Sequence, residues 1–170
     1  MGSVHRVGME NFLTKYKKLE MKKNHNHKEC SKRVIKNAKE ICLEGSLNLT
    51  PIRKKVLEIV SSNHKPARAY DILAKLKEAG FSDKPPTVYR ALDFLIENKM
   101  VHKLNTINAY VACFNNKAEE ISCFLICEKC QDIEEFQDEG IIKAMANISK
   151  NKNIDVKNVN LEISFKCDNC

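Results

Sequence analysis

The stretch "KPPTVYRALDFLIENKMVHKLNTINAYVAC" (residues 84–113) changes its hydrophobic period half-way along. Val88, Ala91, Leu92 and Leu95 recur at helical spacing, which turns Tyr89, Arg90, Asp93 and Glu97 away from the core. Pro85 and Pro86 suit the first turn of a helix, with Ser82 or Asp83 as its cap. Beyond Met100 two short β-prone runs flank "NTIN" (105–108), which reads as a hairpin turn. If that turn is symmetric, His102 lies opposite Val111, and Cys113 shares its face one diagonal step away, about 7–8 Å at Cα.

Working upstream, "LTPIRKKVLEIVSS" offers Thr50 as N-cap, Pro51 at the first helical position and a buried stripe of Ile52, Val56, Leu57 and Val60. "ARAYDILAKLKEAGF" repeats the pattern with Ile72, Leu73 and Leu76, and Gly80 stands where a C-terminal cap belongs. Residues 33–44 place Val34, Ala38, Ile41 and Cys42 on one helical face, and Gly45 ends that run. Three helices and a hairpin within about 70 residues fit a winged helix-turn-helix, whose last helix enters the major groove of DNA. Residues 1–32 are basic and poor in apolar side chains, and read as a mobile arm.

Downstream the character changes. "CFLICEKCQDIEEF" is apolar, turns at a CxxC and resumes; residues 139–151 form a short amphipathic helix; residues 156–167 alternate in strand fashion through Val159, Leu161, Ile163 and Phe165. So short a segment supplies little core and calls for a metal staple or a partner subunit. The expected architecture is α+β: an arm (1–32), a winged helix-turn-helix domain (33–113), a hinge (114–122), and a small α/β dimerisation domain with a four-cysteine structural zinc site (123–170).

Charge divides along the same line. Of the 170 residues, 1–49 carry 11 Lys+Arg against 5 Asp+Glu, 50–113 carry 11 against 6, and 114–170 carry 7 against 11. A basic half that meets a polyanion, joined to an acidic half with another task, follows from that split. No apolar run approaches the roughly 20 residues needed to cross a bilayer, and the opening residues lack the apolar core of a signal peptide. The expected address is the cytoplasm, with no membrane partner.

Eight cysteines without an export signal point to metal or redox chemistry, not to disulfides. Cys127, Cys130, Cys167 and Cys170 make two CxxC pairs separated by residues 131–166, the pattern of a closed tetrahedral four-thiolate zinc site with no open catalytic position. A redox CxxC sits at a helix N-terminus near a βαβ unit, and both pairs here follow β-like runs. A second site could form around His102 and Cys113, with Glu119, Glu120, Cys123, Glu134 and Glu135 further along. His, thiolate and carboxylate donors together favour zinc over harder cations. The duller reading makes His102 a wing residue on a phosphate, Cys113 a small buried hydrophobe and the glutamates solvated charge.

"LTPIRKKVLEIV", "AYDIL", "KPPTVYRALDFL", "VHKLNTINAYVAC" and "FLICEKC" together resemble the ferric uptake regulator family of bacterial metalloregulators, most closely its zinc-responsive branch, from about residue 34 to 170. The resemblance implies a homodimer that binds double-stranded operator DNA and represses zinc-acquisition genes when zinc is bound. It implies structural zinc on Cys127, Cys130, Cys167 and Cys170, and regulatory zinc on His102, Cys113, position 120 and Glu135. Position 120 departs from the family pattern: it is Glu120 where a His is expected, and Cys123 or Glu119 could substitute for it. The histidine-rich stretch of the iron- and peroxide-sensing branches is absent, and "NNKAEEISC" stands in its place.

For DNA, Arg90 is the candidate for base readout, because Arg paired with guanine O6/N7 is the commonest specific contact. Tyr89 and Tyr70 are candidates for backbone or thymine-methyl contacts, and Thr87 lies on the same helix. Arg53, Lys54, Lys84 and Lys103 are candidates for phosphates. Nothing supplies a nucleophile–base pair, so neither an enzyme nor a small-molecule substrate is expected. The rival readings are a sensor of another metal or of peroxide, a zinc-stapled thiol oxidoreductase, and a zinc-bound DNA-bending protein without metal response.

Overall fold

Helix α1 runs from His27 to Glu44 in the computed structural model, which describes residues 27–170 apart from 64, 82–83, 115–120, 157–158 and 168–169. It starts six residues before the expected boundary at 33. Those residues carry no apolar stripe, so periodicity does not register them. The Ser31 hydroxyl instead hydrogen-bonds that of Ser61 at 2.9 Å, tying this turn to the next helix. Helix entry at Pro85 puts Lys84 in the N-cap position with no side-chain cap bond, so neither Ser82 nor Asp83 is the cap that was expected; those two residues, like the arm up to residue 26, lie outside the described residues.

Helices α2 (Pro51–Ser61), α3 (Ala69–Glu78) and α4 (Pro85–Glu97) follow. Thr50 caps α2 by accepting the Arg53 N–H, with Pro51 at the first position. Gly80, just past α3, has φ +75°, a conformation that costs a residue with a Cβ about 1 kcal/mol or more. The stripes anticipated on α1, α2, α3 and α4 converge on one core, in which Val56, Leu57, Val60, Ile72, Leu76, Leu92 and Leu95 are buried.

Strands β1 (Val101–Leu104) and β2 (Ala109–Ala112) form the wing, antiparallel in the expected register with His102 opposite Val111. Ala67 adds a bridge to Tyr110, with reciprocal 2.9 Å N–H···O bonds that fasten the loop before α3 to the wing.

In the second half, β3 (Ile121–Cys127) pairs antiparallel with β4 (Ile133–Phe136) and parallel with β5 (Val159–Phe165), giving the order β4-β3-β5. β3 begins inside the segment expected as a hinge. Helix α5 (Glu139–Lys152) makes the crossover; the Asp138 carboxylate caps its N-terminus and Asn153 closes its C-terminus in the left-handed region. None of its residues is buried, and Ile142 and Ile148 are exposed.

The two halves share a small second core. Leu104 and Val111 of the wing pack with Phe124 and Ile126 of β3, surrounded by Ile107, Phe114 and Ile133. Phe114 packs against both cores, so the chain leaves the winged half along an apolar seam.

Candidate metal centres and nucleic-acid face

The clasp forms where β3 and β5 end together. Cys127 is the last residue of β3 and pairs with Phe165, two residues before Cys167. The Glu128 N–H donates to the Phe165 carbonyl and the Gln131 N–H to the Cys127 carbonyl, folding "CEKC" back over the strand end. Gln131 takes φ +57° in that turn. All four cysteines predicted for the structural site meet, their sulfurs mutually within 4.8 Å and none disulfide-bonded.

The Cys127–Cys170 and Cys130–Cys167 sulfurs are each 3.8 Å apart, and Cys167–Cys170 are 3.1 Å apart. A tetrahedral zinc with Zn–S near 2.3 Å sets sulfurs about 3.8 Å apart. Two pairs already match that spacing, and the third needs to open by roughly 0.7 Å. The thiols carry the electrostatics of a cation site. Backbone N–H groups of Cys130 and Cys167 lower Cys127 to about 6, whereas the Cys167 and Cys130 thiols push Cys170 up to about 12. Cys127 thus ionises readily and Cys170 resists, and a divalent ion at this site would favour the thiolate form of its ligands. Lys129 adds a hydrogen bond to the Cys170 carbonyl.

A second group lies between the halves. His102 of β1, Cys113 just after β2 and Glu135 of β4 bring Nε2 or Nδ1, Sγ and a carboxylate oxygen within 4.8 Å of one another. The His102 Nε2 stands 4.0 Å from Glu135 Oε1, with the two side chains 10% and 16% exposed. That nitrogen is buried without a hydrogen-bond partner, an arrangement costing about 1–3 kcal/mol if nothing else binds it. Burial pushes the imidazole below its ordinary value, partly opposed by hydrogen bonding to the Asn160 side chain. It is therefore held neutral, the form that coordinates a metal. The Phe124 ring, centroid 5.2 Å from the imidazole, walls the site.

Strand alternation separates Glu134 from Glu135, and only Glu135 joins the group. Cys123 is buried in β3 and joins neither group; burial, Asp138 and Glu135 raise its thiol and keep it protonated. Glu119 and Glu120, expected near this site, lie outside the described residues.

On the winged half, Tyr89 and Arg90 are exposed on α4, Tyr70 is 78% exposed on α3, Lys84 is exposed ahead of α4, Lys103 is exposed on the wing, and Thr87 is half-buried. Arg53 is held elsewhere: its guanidinium sits 3.5 Å from the centre of the Phe94 ring and donates to the Asn48 carbonyl at 2.6 Å. Lys54 pairs with Glu58 at 3.5 Å along α2.

Sequence reasoning missed β5 as a contributor. The Asn105 and Thr106 N–H groups of the wing turn each donate to the Glu162 carboxylate at 2.8 Å, and the Asn160 amide reaches the Lys103 carbonyl at 3.5 Å. Strand alternation puts Asn160 and Glu162 on one face, but their partners are 56 or 57 residues away in sequence.

Known proteins bear on this arrangement. The zinc uptake regulation protein of Escherichia coli K12 is 34% identical over 144 residues, 84% of either chain. A solved zinc uptake regulator complexed with zinc and DNA superposes with TM-score 0.74 at 34% identity, covering 82% of this chain and 94% of that one. Holo XcZur gives TM-score 0.70 at 39% identity (80% and 95% covered), and apo XcZur gives 0.51 at 34% (84% and 98%). With residues 44–164 also matching the ferric uptake regulator family as a whole, the chain belongs to that family.

Proposed function

We propose that this protein is a zinc-responsive, sequence-specific DNA-binding repressor of zinc uptake genes, acting in the cytoplasm as a homodimer with zinc as corepressor. The observation that carries the reading is the His102–Cys113–Glu135 group, which takes two donors from the wing and one from the sheet of the other half. The names of the E. coli relative and of the zinc- and DNA-bound structure support the same signal and partner. The closer superposition on holo than on apo XcZur fits a metal-ready arrangement of the halves.

In this reading residues 33–113 form the DNA-binding domain, 114–122 the hinge and 123–170 the dimerisation domain. Cys127, Cys130, Cys167 and Cys170 hold structural zinc. His102, Cys113 and Glu135 hold regulatory zinc, with Glu120 as the fourth ligand. Zinc held by these residues would supply Lewis-acid cross-linking, and the four-thiolate site would leave no position for a reactive water. The chain's own part is to keep His102 neutral and the wing against β3. That fixes the direction in which α4 leaves the dimer and lets both recognition helices face half-sites on one side of DNA. The exposed Ile142 and Ile148 of α5, together with β5 at the sheet edge, offer the surface for a second copy.

Arg90 reads bases; Tyr70, Tyr89, Thr87, Lys84 and Lys103 position the duplex. Arg53 has a packing role through Phe94 that competes with its phosphate role. No helix among the described residues is long and apolar enough to cross a membrane. The test is operator binding across buffered zinc, cobalt, iron and manganese, and after peroxide. Tightening by zinc at the lowest free-metal level supports the reading. Binding indifferent to metal, or driven by iron or peroxide, overturns it.

A further inference from the structure

We propose that Asn160 and Glu162 of β5 are positioning residues for the regulatory metal, gripping the wing so that His102 is delivered to Glu135. This rests on the function proposed above and extends it to residues that touch no metal.

The argument begins with the turn. Two successive N–H groups, those of Asn105 and Thr106, converge on the two oxygens of the Glu162 carboxylate at 2.8 Å each. Successive amides pointing the same way form a concave anion seat, and this one is occupied by the protein's own carboxylate. Burial alone would raise the Glu162 carboxyl; hydrogen bonds from Thr106 and Asn105 outweigh it and hold the group below its usual range. The turn at the tip of the wing is thus committed to the sheet of the other half.

Asn160, two residues back on the same strand face, brings its amide to 3.5 Å from the carbonyl of Lys103, the residue next to His102. It therefore grips the backbone beside the ligand while Glu162 holds the far end of the strand that carries it. Beneath them Leu104 and Val111 pack on Phe124 and Ile126. His102 and Cys113 belong to the wing segment and Glu135 to β4, so the ligand atoms meet only while the wing stays seated on this sheet. Partners that orient a ligand from outside the coordination shell commonly change metal affinity 10–100-fold.

The experiment compares the full-length protein with Glu162→Ala, Glu162→Gln and Asn160→Ala. Zinc affinity at the second site is read by chelator competition, the Co2+ absorption spectrum of that site reports its geometry, and amide exchange is followed at residues 105 and 106. Expected is a loss of about tenfold or more in second-site affinity for Glu162→Ala and Asn160→Ala. Glu162→Gln, which keeps one acceptor oxygen, falls between, and all variants keep one structural, four-thiolate zinc per chain. Faster exchange at residues 105 and 106 accompanies the Glu162 changes, and a shifted cobalt spectrum accompanies Asn160→Ala. Wild-type affinity and spectrum in both alanine variants overturn the proposal. A wild-type chain that takes up only the structural zinc overturns instead the regulatory reading, together with the metal-positioning role; exchange at the wing turn would then decide whether the grip itself exists.

Discussion

Removing one thiol from the clasp should unfold the second half and spare the first. Cys130 is the ligand to change, because it is exposed and its replacement by serine opens no cavity. Among the described residues the winged half buries seventeen side chains in one cluster, whereas the second cluster has four, and two of those, Leu104 and Val111, come from the wing. At about 1.5–3 kcal/mol for each buried side chain, those four contribute roughly 6–12 kcal/mol, an upper estimate. A structural zinc supplies about 10–16 kcal/mol to the fold it closes. The clasp is therefore worth as much as the cluster or more over most of that range, and helix α5, with nothing buried, adds no separate core. Cys130→Ser should lose the structural zinc, and amide exchange should show β3, β5 and α5 unprotected while α2, α3 and α4 keep their protection. Wild-type protection across β3 and β5 in a zinc-free Cys130→Ser protein would refute the reasoning, since the strand pairing would then stand without its metal.

His102→Ala and Cys113→Ser should each lower zinc content by one per chain and abolish zinc-dependent operator binding, with the structural zinc retained; metal analysis alongside gel-shift titration checks both. Arg90→Ala should cost about 1–3 kcal/mol on the best operator and relax preference at one base pair, and a uniform loss over all sequences would demote it to a phosphate contact. Arg53→Ala should lower thermal stability by roughly 1–2 kcal/mol through loss of the Phe94 stack and the Asn48 bond, while the salt slope of DNA binding stays near wild type; a slope reduced by about one would return it to the phosphate contacts. The Glu162 carboxyl is depressed in the folded state, so its contribution is present above its unfolded pKa and fades as pH falls through the folded value. The stability gap between wild type and Glu162→Gln should accordingly close on acidification, and a gap that widened would contradict the hydrogen bonding described.

Local chemistry made much of this molecule legible in its sequence. The stripe Val88, Ala91, Leu92 and Leu95 is buried as its spacing requires, because a helix repeats every 3.6 residues whatever lies around it. The wing register followed from a symmetric four-residue turn, and with it the shared face of His102 and Cys113. The two CxxC pairs announced their own meeting, since few other arrangements satisfy four spaced thiols in so small a segment.

Tertiary structure alone decided the rest. α1 begins ahead of its apolar stripe, where Ser31 bonds Ser61, a contact across 30 residues that no hydrophobic period encodes. Arg53 reads as a free cation on a basic helix, yet Phe94 and the Asn48 carbonyl claim it. Spacing left Glu135 one carboxylate among several, singled out only by the family resemblance, and strand pairing sets it 4.0 Å from an orphaned His102 nitrogen. Asn160 and Glu162 carried no motif at all. A sequence records what each element prefers by itself, in turns, periods and ligand spacings. Which side chain of one element completes a site on another depends on how parallel β5 and the wing come together, and that is a property of the packed chain.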